Sequence, residues 1–186
     1  VGLLHMDLTF TPQEQQVRDD LRVWLEAHVP RNWAAQRGGE SMEARFRFLR
    51  DWQKTVYAGG WAGVTWPKAY GGRGASLGQV AIYNAELARA GAPPILGRAG
   101  VTLVGPTLMA HGTEEQRARW MPRILGADDV WCQLFSEPGA GSDLASLTTR
   151  AVRVDGGWSL TGQKVWTSMA RDADWGICLA RTNPPA

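Results

Sequence analysis

Cysteine is almost missing from this sequence and histidine is rare, with two and three residues respectively among 186. Both cysteines, Cys132 and Cys178, sit in apolar, strand-like runs, which argues against a disulfide framework and fits buried free thiols in a reducing compartment. His5, His28 and His111 fall in three separate helical or terminal contexts without ligand spacing, whereas a metal centre needs three or four converging ligands. Ser136, Ser142 and Ser168 have no His and Asp arrangement that spacing alone defends, so hydrolysis through a nucleophile triad is disfavoured. Net charge is small, at +2, and short cationic patches such as Arg45-Phe46-Arg47 and Arg117-Ala118-Arg119 have acidic residues nearby. They read as solvated helix faces, not as a nucleic-acid surface. No apolar run reaches the length of a membrane span. Val1-Gly2-Leu3-Leu4-His5 lacks the charged and apolar regions of a signal peptide, and a soluble cytoplasmic protein is the expectation. Internal repeats and low-complexity segments are also missing.

What is present is tryptophan and glycine, ten and 22 residues, in a chain that is 44% hydrophobic and 20% charged. That balance suits an ordinary globular protein with a real core, and most of the tryptophans are expected to pack within it. The first two-thirds of the chain has helical grammar. Thr11-Pro12-Gln13-Glu14 offers an N-cap, a proline in the first turn and a capping-box carboxylate. Val17, Leu21, Trp24, Leu25 and Val29 then form one apolar stripe that Pro30 ends. A second helix is expected after Ser41, with Phe46, Leu49, Trp52 and Val56 inward and Gly59-Gly60 as its stop. Residues 61–75 read as a loop. Ser76 with Gln79 opens a helix running to about Ala90, a further helix covers 101–110, and Thr113 with Gln116 opens one that continues around Pro122.

Near Asp128 the pattern changes. Residues 130–136, 148–154, 158–161, 163–168 and 175–181 are strand candidates, and Asp155-Gly156-Gly157 is a hairpin turn signal. The reading is α + β multidomain: an all-helical domain over 1–127, then the opening of an antiparallel β domain over 128–186. Four or five short strands do not easily close a barrel or sandwich, so the second domain looks cut short.

Gly72-Arg73-Gly74 before a helix suggests a dinucleotide fingerprint, but Leu77 stands where the third glycine belongs and no strand precedes the turn. A tight loop is the expected role. No glycine loop is followed by a Lys-Ser or Lys-Thr pair, so a P-loop is excluded. The informative segment is Trp131-Cys132-Gln133-Leu134-Phe135-Ser136-Glu137-Pro138-Gly139-Ala140-Gly141-Ser142-Asp143. A strand there runs into a stiff proline turn and a glycine stretch, which leaves backbone N–H groups and hydroxyls for a ligand. Chemistry alone leaves a ligand site and a structural β-turn evenly matched.

Residues 136–143 resemble the signature of the acyl-CoA dehydrogenase family, where the first position is often Thr. Gln163-Lys164-Val165-Trp166-Thr167-Ser168 resembles the family's second flavin segment, and residues 61–74 its helical-domain loop, with Ala69 where a glutamate is common. Gly112-Thr113-Glu114-Glu115-Gln116 and Pro122-Arg123-Ile124-Leu125-Gly126 resemble the stretch between its helical and β domains. These blocks agree in order and spacing and cover nearly the whole chain. The resemblance implies an N-terminal helical bundle followed by an incomplete antiparallel β-barrel domain of the acyl-CoA dehydrogenase type. It implies FAD as cofactor, contacted by Gln133, Leu134, Phe135, Ser136, Gly141, Ser142, Trp166, Thr167 and Ser168. Ser136 would contribute its hydroxyl, Trp166 would lie against one face of the flavin ring, and Ser168 would hydrogen-bond near N5. Ser142 would also reach the CoA part of the substrate.

The implied reaction is α,β-dehydrogenation of an acyl-CoA thioester, with hydride passing to flavin N5. The base that takes the α-proton comes, in relatives, from a C-terminal helical region not represented in these residues. No catalytic residue is therefore assigned here, Glu137 included, and the chain alone is expected to be inactive. An electron-transfer flavoprotein-like acceptor and a homo- or hetero-oligomer are the implied partners. Two other readings stand beside this one: a non-catalytic remnant or assembly subunit, and a flavin oxidase or monooxygenase on the same fold.

Overall fold

The computed structural model describes residues 9–33 and 41–183. Val1–His5, read above for leader character, lies outside the described residues. The chain packs as two compact units, one ending at Ile95 and the other beginning at Leu96.

The first unit is helical. Helix α1 spans Pro12–His28 and opens with a closed capping box: the Thr11 hydroxyl accepts from the Glu14 amide at 3.2 Å, and the Glu14 carboxylate accepts from the Thr11 amide at 2.9 Å. Leu21 and Leu25 on its stripe are fully buried. Helix α2 covers Met42–Ala58 behind the Ser41 cap and buries Trp52 and Val56. Helix α3, Leu77–Arg89, starts from the Ser76–Gln79 box and packs along α1. Between those two helices the buried Glu86 carboxylate takes two hydrogen bonds from Arg22, each 2.8 Å, and one from Arg89 at 2.7 Å. The loop over 61–75 contains one 3₁₀ turn, Lys68–Tyr70, and buries Trp61 and Trp66. Gly72 and Arg73 serve this packing. A side chain at Gly72 would collide with the Trp66 carbonyl oxygen, and the Arg73 guanidinium lies 3.4 Å over the Trp61 ring while donating to the Gly60 carbonyl at 2.7 Å.

The second unit mixes helix and strand. Its first helical run differs from expectation: a π-helical turn, Gly100–Val104, leads into helix α4, Gly105–His111. Pro106 explains this. Its ring would crowd the carbonyl four residues back in a regular α-turn, and a widened turn relieves the clash while the Gly105 amide bonds the Gly100 carbonyl. Helix α5, Glu114–Leu125, carries the Thr113–Gln116 capping box and holds Pro122 in its last turn. Beyond it Trp120, Trp131 and Trp175 form an aromatic trio with ring centres 4.7 to 6.0 Å apart. Asp129 braces the trio, accepting from Arg123 at 3.0 Å and from the Trp175 indole at 3.2 Å.

The strands depart from the sequence reading in two ways. Strand β1, Trp131–Leu134, pairs in parallel with β4, Trp175–Cys178, in the register Trp131↔Trp175 to Leu134↔Cys178. Among the described strands the hairpin of β2, Arg150–Val154, and β3, Gly157–Thr161, is the antiparallel pair, closing at Gly156 with φ +78°. Among the described residues the strands form two two-stranded sheets, not a closed barrel. The parallel pairing arises because the chain between β1 and β4 crosses back before rejoining the edge of β1. The second departure is 163–168, which is no strand: it makes one backbone rung, from the Val165 amide to the Ser136 carbonyl at 2.9 Å, and then Trp166 turns to φ +58°. Cys132 is buried, Cys178 half-buried, and both are free thiols.

Candidate functional site

The site begins where β1 ends. After Leu134 the chain enters a tight turn closed by reciprocal backbone bonds, Glu137 amide to Ala140 carbonyl at 2.8 Å and the reverse at 3.1 Å. Glu137 folds inward rather than toward a ligand. Its carboxylate accepts from the Thr148 amide at 2.6 Å, the Thr148 hydroxyl at 2.8 Å, the Thr149 amide at 2.9 Å and the Lys164 ammonium at 2.9 Å. The bonds from Thr149 and Lys164, then those from Thr148, hold this carboxyl well below the ordinary carboxylate range. A carboxylate that stays ionised through the ordinary carboxylate range and accepts four hydrogen bonds is a poor proton acceptor near neutral pH, so Glu137 acts as a structural anchor. Gly162 leaves the room this anchor needs, since a side chain there would strike Thr149.

Lys164 links two segments. Its ammonium also donates to the Phe135 carbonyl at 2.9 Å, and beside it lies the Val165–Ser136 backbone bond. The signature turn and the 163–168 segment are thereby held side by side. Together they line an open cavity of about 390 Å³, with Gln133, Phe135 and Ser136 from one segment and Val165, Trp166 and Ser168 from the other. Its remaining wall comes from the run around the π turn (Leu96, Arg98, Ala99, Thr102 and Leu103), with Trp131 and Met169.

The sequence-selected residues divide accordingly. Gln133, Phe135, Ser136, Trp166 and Ser168 reach the cavity wall; Leu134 and Thr167 belong to the same segments without lining it; Gly141 and Ser142 are exposed beyond the turn. Trp166 is 90% exposed on a left-handed backbone, and Met169 shares that conformation at φ +68°. Left-handed geometry is costly for a side chain of this size and gathers at functional sites. The buried Thr167 hydroxyl and the buried Trp131 indole N–H have no hydrogen-bond partner among the described residues. Sequence reasoning missed Arg98, Thr102 and Leu103, because only the fold brings that run to the cavity. It also missed Lys164 as a latch; the lone cation inside an otherwise uncharged strand-like segment was its available signal.

An exposed indole, two serine hydroxyls, a glutamine amide and apolar flanks fit a planar aromatic ring with a polar edge, so these residues suit a flavin. The acyl-CoA dehydrogenase N-terminal domain model matches residues 11–128, and the acyl-CoA dehydrogenase middle domain model matches residues 132–186. The chain belongs to the acyl-CoA dehydrogenase family. It is 42% identical over 172 residues to acyl-CoA dehydrogenase IpdE1 of Mycobacterium tuberculosis, a match covering 90% of this chain and 44% of that protein. It is 54% identical over 124 residues to acyl-CoA dehydrogenase FadE34 of the same organism, covering 65% of this chain and 17% of that protein. Among solved structures it is similar to the ChsE4-ChsE5 complex from Mycobacterium tuberculosis, with TM-score 0.80 and 37% identity over 96% of this chain and 45% of that one. The Tcur3481-Tcur3483 steroid ACAD gives TM-score 0.77 and 38% identity over 97% of this chain and 46% of that one. The chain thus spans under half the length of these relatives.

Proposed function

We propose that this chain forms the flavin- and thioester-facing front of an FAD-dependent acyl-CoA dehydrogenase. The observation that carries the reading is the Lys164–Glu137 latch with the Val165–Ser136 bond, because it brings Ser136, Trp166 and Ser168 to one cavity. When bound, FAD supplies the acceptor for the hydride leaving the acyl β-carbon. Trp166 covers the ring and excludes water, the Ser136 and Ser168 hydroxyls donate to its polar edge, and backbone groups of Gln133, Leu134, Phe135, Gly141 and Thr167 frame it. Ser142, exposed past the turn, reaches the CoA part of the substrate. No carboxylate lines the cavity among the described residues, so the base for the α-proton is proposed to come from outside this chain. The chain by itself is then inactive. The change from helical to strand grammar near residue 127 is proposed as the domain division. Partnership with a second, related subunit is proposed too, since two similar structures are described as two-component assemblies.

The test is flavin absorbance of the native protein carrying this chain, followed by anaerobic bleaching with an acyl-CoA. Ser168→Ala is expected to slow bleaching by about a hundredfold, the scale for losing one preorganised donor. A native protein with no flavin absorbance would sink the reading.

A further inference from the structure

Among the described residues Arg98 is the one ionisable group on the cavity wall; every other lining residue is apolar or neutral. It is exposed and makes no ion pair or side-chain hydrogen bond among the described residues, whereas several other arginines of the same unit are engaged. Arg123 pairs with Asp129, Arg117 and Arg181 donate to carbonyls, and Arg119 covers Trp120. Arg98 also opens a helical run, where the dipole favours anions, so its charge does nothing for the helix. Its backbone, by contrast, is held: the Thr102 hydroxyl, from within the π turn, donates to the Arg98 carbonyl just before it at 2.9 Å. A cation anchored at its base and free at its tip, facing a cavity walled by Leu96, Leu103 and Val165, selects its ligand. A plain hydrocarbon would strip water from the guanidinium and return nothing, while an oxygen acceptor would replace that water.

We propose that Arg98 determines specificity by reading an oxygen acceptor, an oxo or carboxylate oxygen, carried on the acyl group away from the thioester. This rests on the acyl-CoA reading above and adds the chemistry of the acyl part. The experiment uses the native flavin-loaded protein and three CoA thioesters of matched size, ending in a methyl, an oxo group or a carboxylate. Affinity is measured by calorimetry and turnover by kcat/KM, for the unaltered protein, Arg98→Gln and Arg98→Lys, with flavin content and circular dichroism as checks on folding. Oxygen-bearing thioesters are expected to bind about tenfold to a hundredfold more tightly than the methyl-ended one, the range of a charge-assisted hydrogen bond. Arg98→Gln should collapse that ratio, and Arg98→Lys should keep part of it for the carboxylate. An unaltered protein without the preference overturns the proposal, as does an equal loss across all three thioesters, which would assign Arg98 to the CoA phosphates. If flavin is bound yet no thioester bleaches it, the dehydrogenase reading fails while the calorimetric ratio still decides the role of Arg98.

Discussion

Trp166 concentrates the chemistry of the site in one residue. Nine-tenths of its surface is open, so its indole adds little to the fold, and its backbone sits at φ +58°, which glycine adopts without cost. Trp166→Gly is expected to stabilise the flavin-free protein by about 0.5–1 kcal/mol while weakening flavin retention. Thermal unfolding and flavin content after gel filtration measure the two effects. Thr167 makes a parallel case: its buried hydroxyl has no partner among the described residues, so Thr167→Val should raise flavin-free stability by about 1 kcal/mol, read from the urea midpoint. The motif made Trp166 and Ser168 visible in the sequence, but not their conformation, because a positive φ in a β-prone run leaves no mark on the pattern.

At the scale of elements, local rules were legible and long-range ones were not. The Thr11, Ser76 and Thr113 capping boxes all close as their spacing indicates, since each depends on residues three apart. The β2–β3 hairpin is local in the same sense, fixed by Gly156. The parallel β1–β4 pair and the non-strand character of 163–168 depend on where distant residues land, which periodicity does not encode. The Lys164–Glu137 latch is one such long-range feature and yields a specific expectation. Lys164→Met should remove hydrogen-exchange protection from the Val165 amide while leaving β1 and β4 protected, because it frees the 163–168 segment without touching the parallel pair. Equal loss of protection in both places would show that the latch holds the whole unit.

At the scale of the whole molecule, three buried carboxylates share one electrostatic logic. Hydrogen bonds from Arg22 pull Glu86 down from 4.5 to about 2. Arg123 lowers Asp129, and Thr149 with Lys164 lowers Glu137. Each binds a proton more readily in the unfolded chain than in the folded one. Their contribution is therefore complete above the ordinary carboxylate range and is lost as pH falls through the depressed folded values. The urea midpoint should hold steady down to about pH 5, near the upper edge of ordinary carboxylate titration, and then fall toward pH 2. Glu86→Gln should shrink that fall. A midpoint that rises on acidification would contradict the assignment.

Trp131 belongs both to the aromatic trio and to the cavity wall, and Trp166 shares that wall. The molecule therefore carries its own optical reporter. A flavin seated in the cavity would drain the emission of these two indoles, which line its wall. Titrating FAD into flavin-stripped native protein should quench part of the fluorescence, and Trp131→Phe and Trp166→Phe should each remove a share of that quenching. Occupancy of the site is then measurable by light alone, with no turnover required.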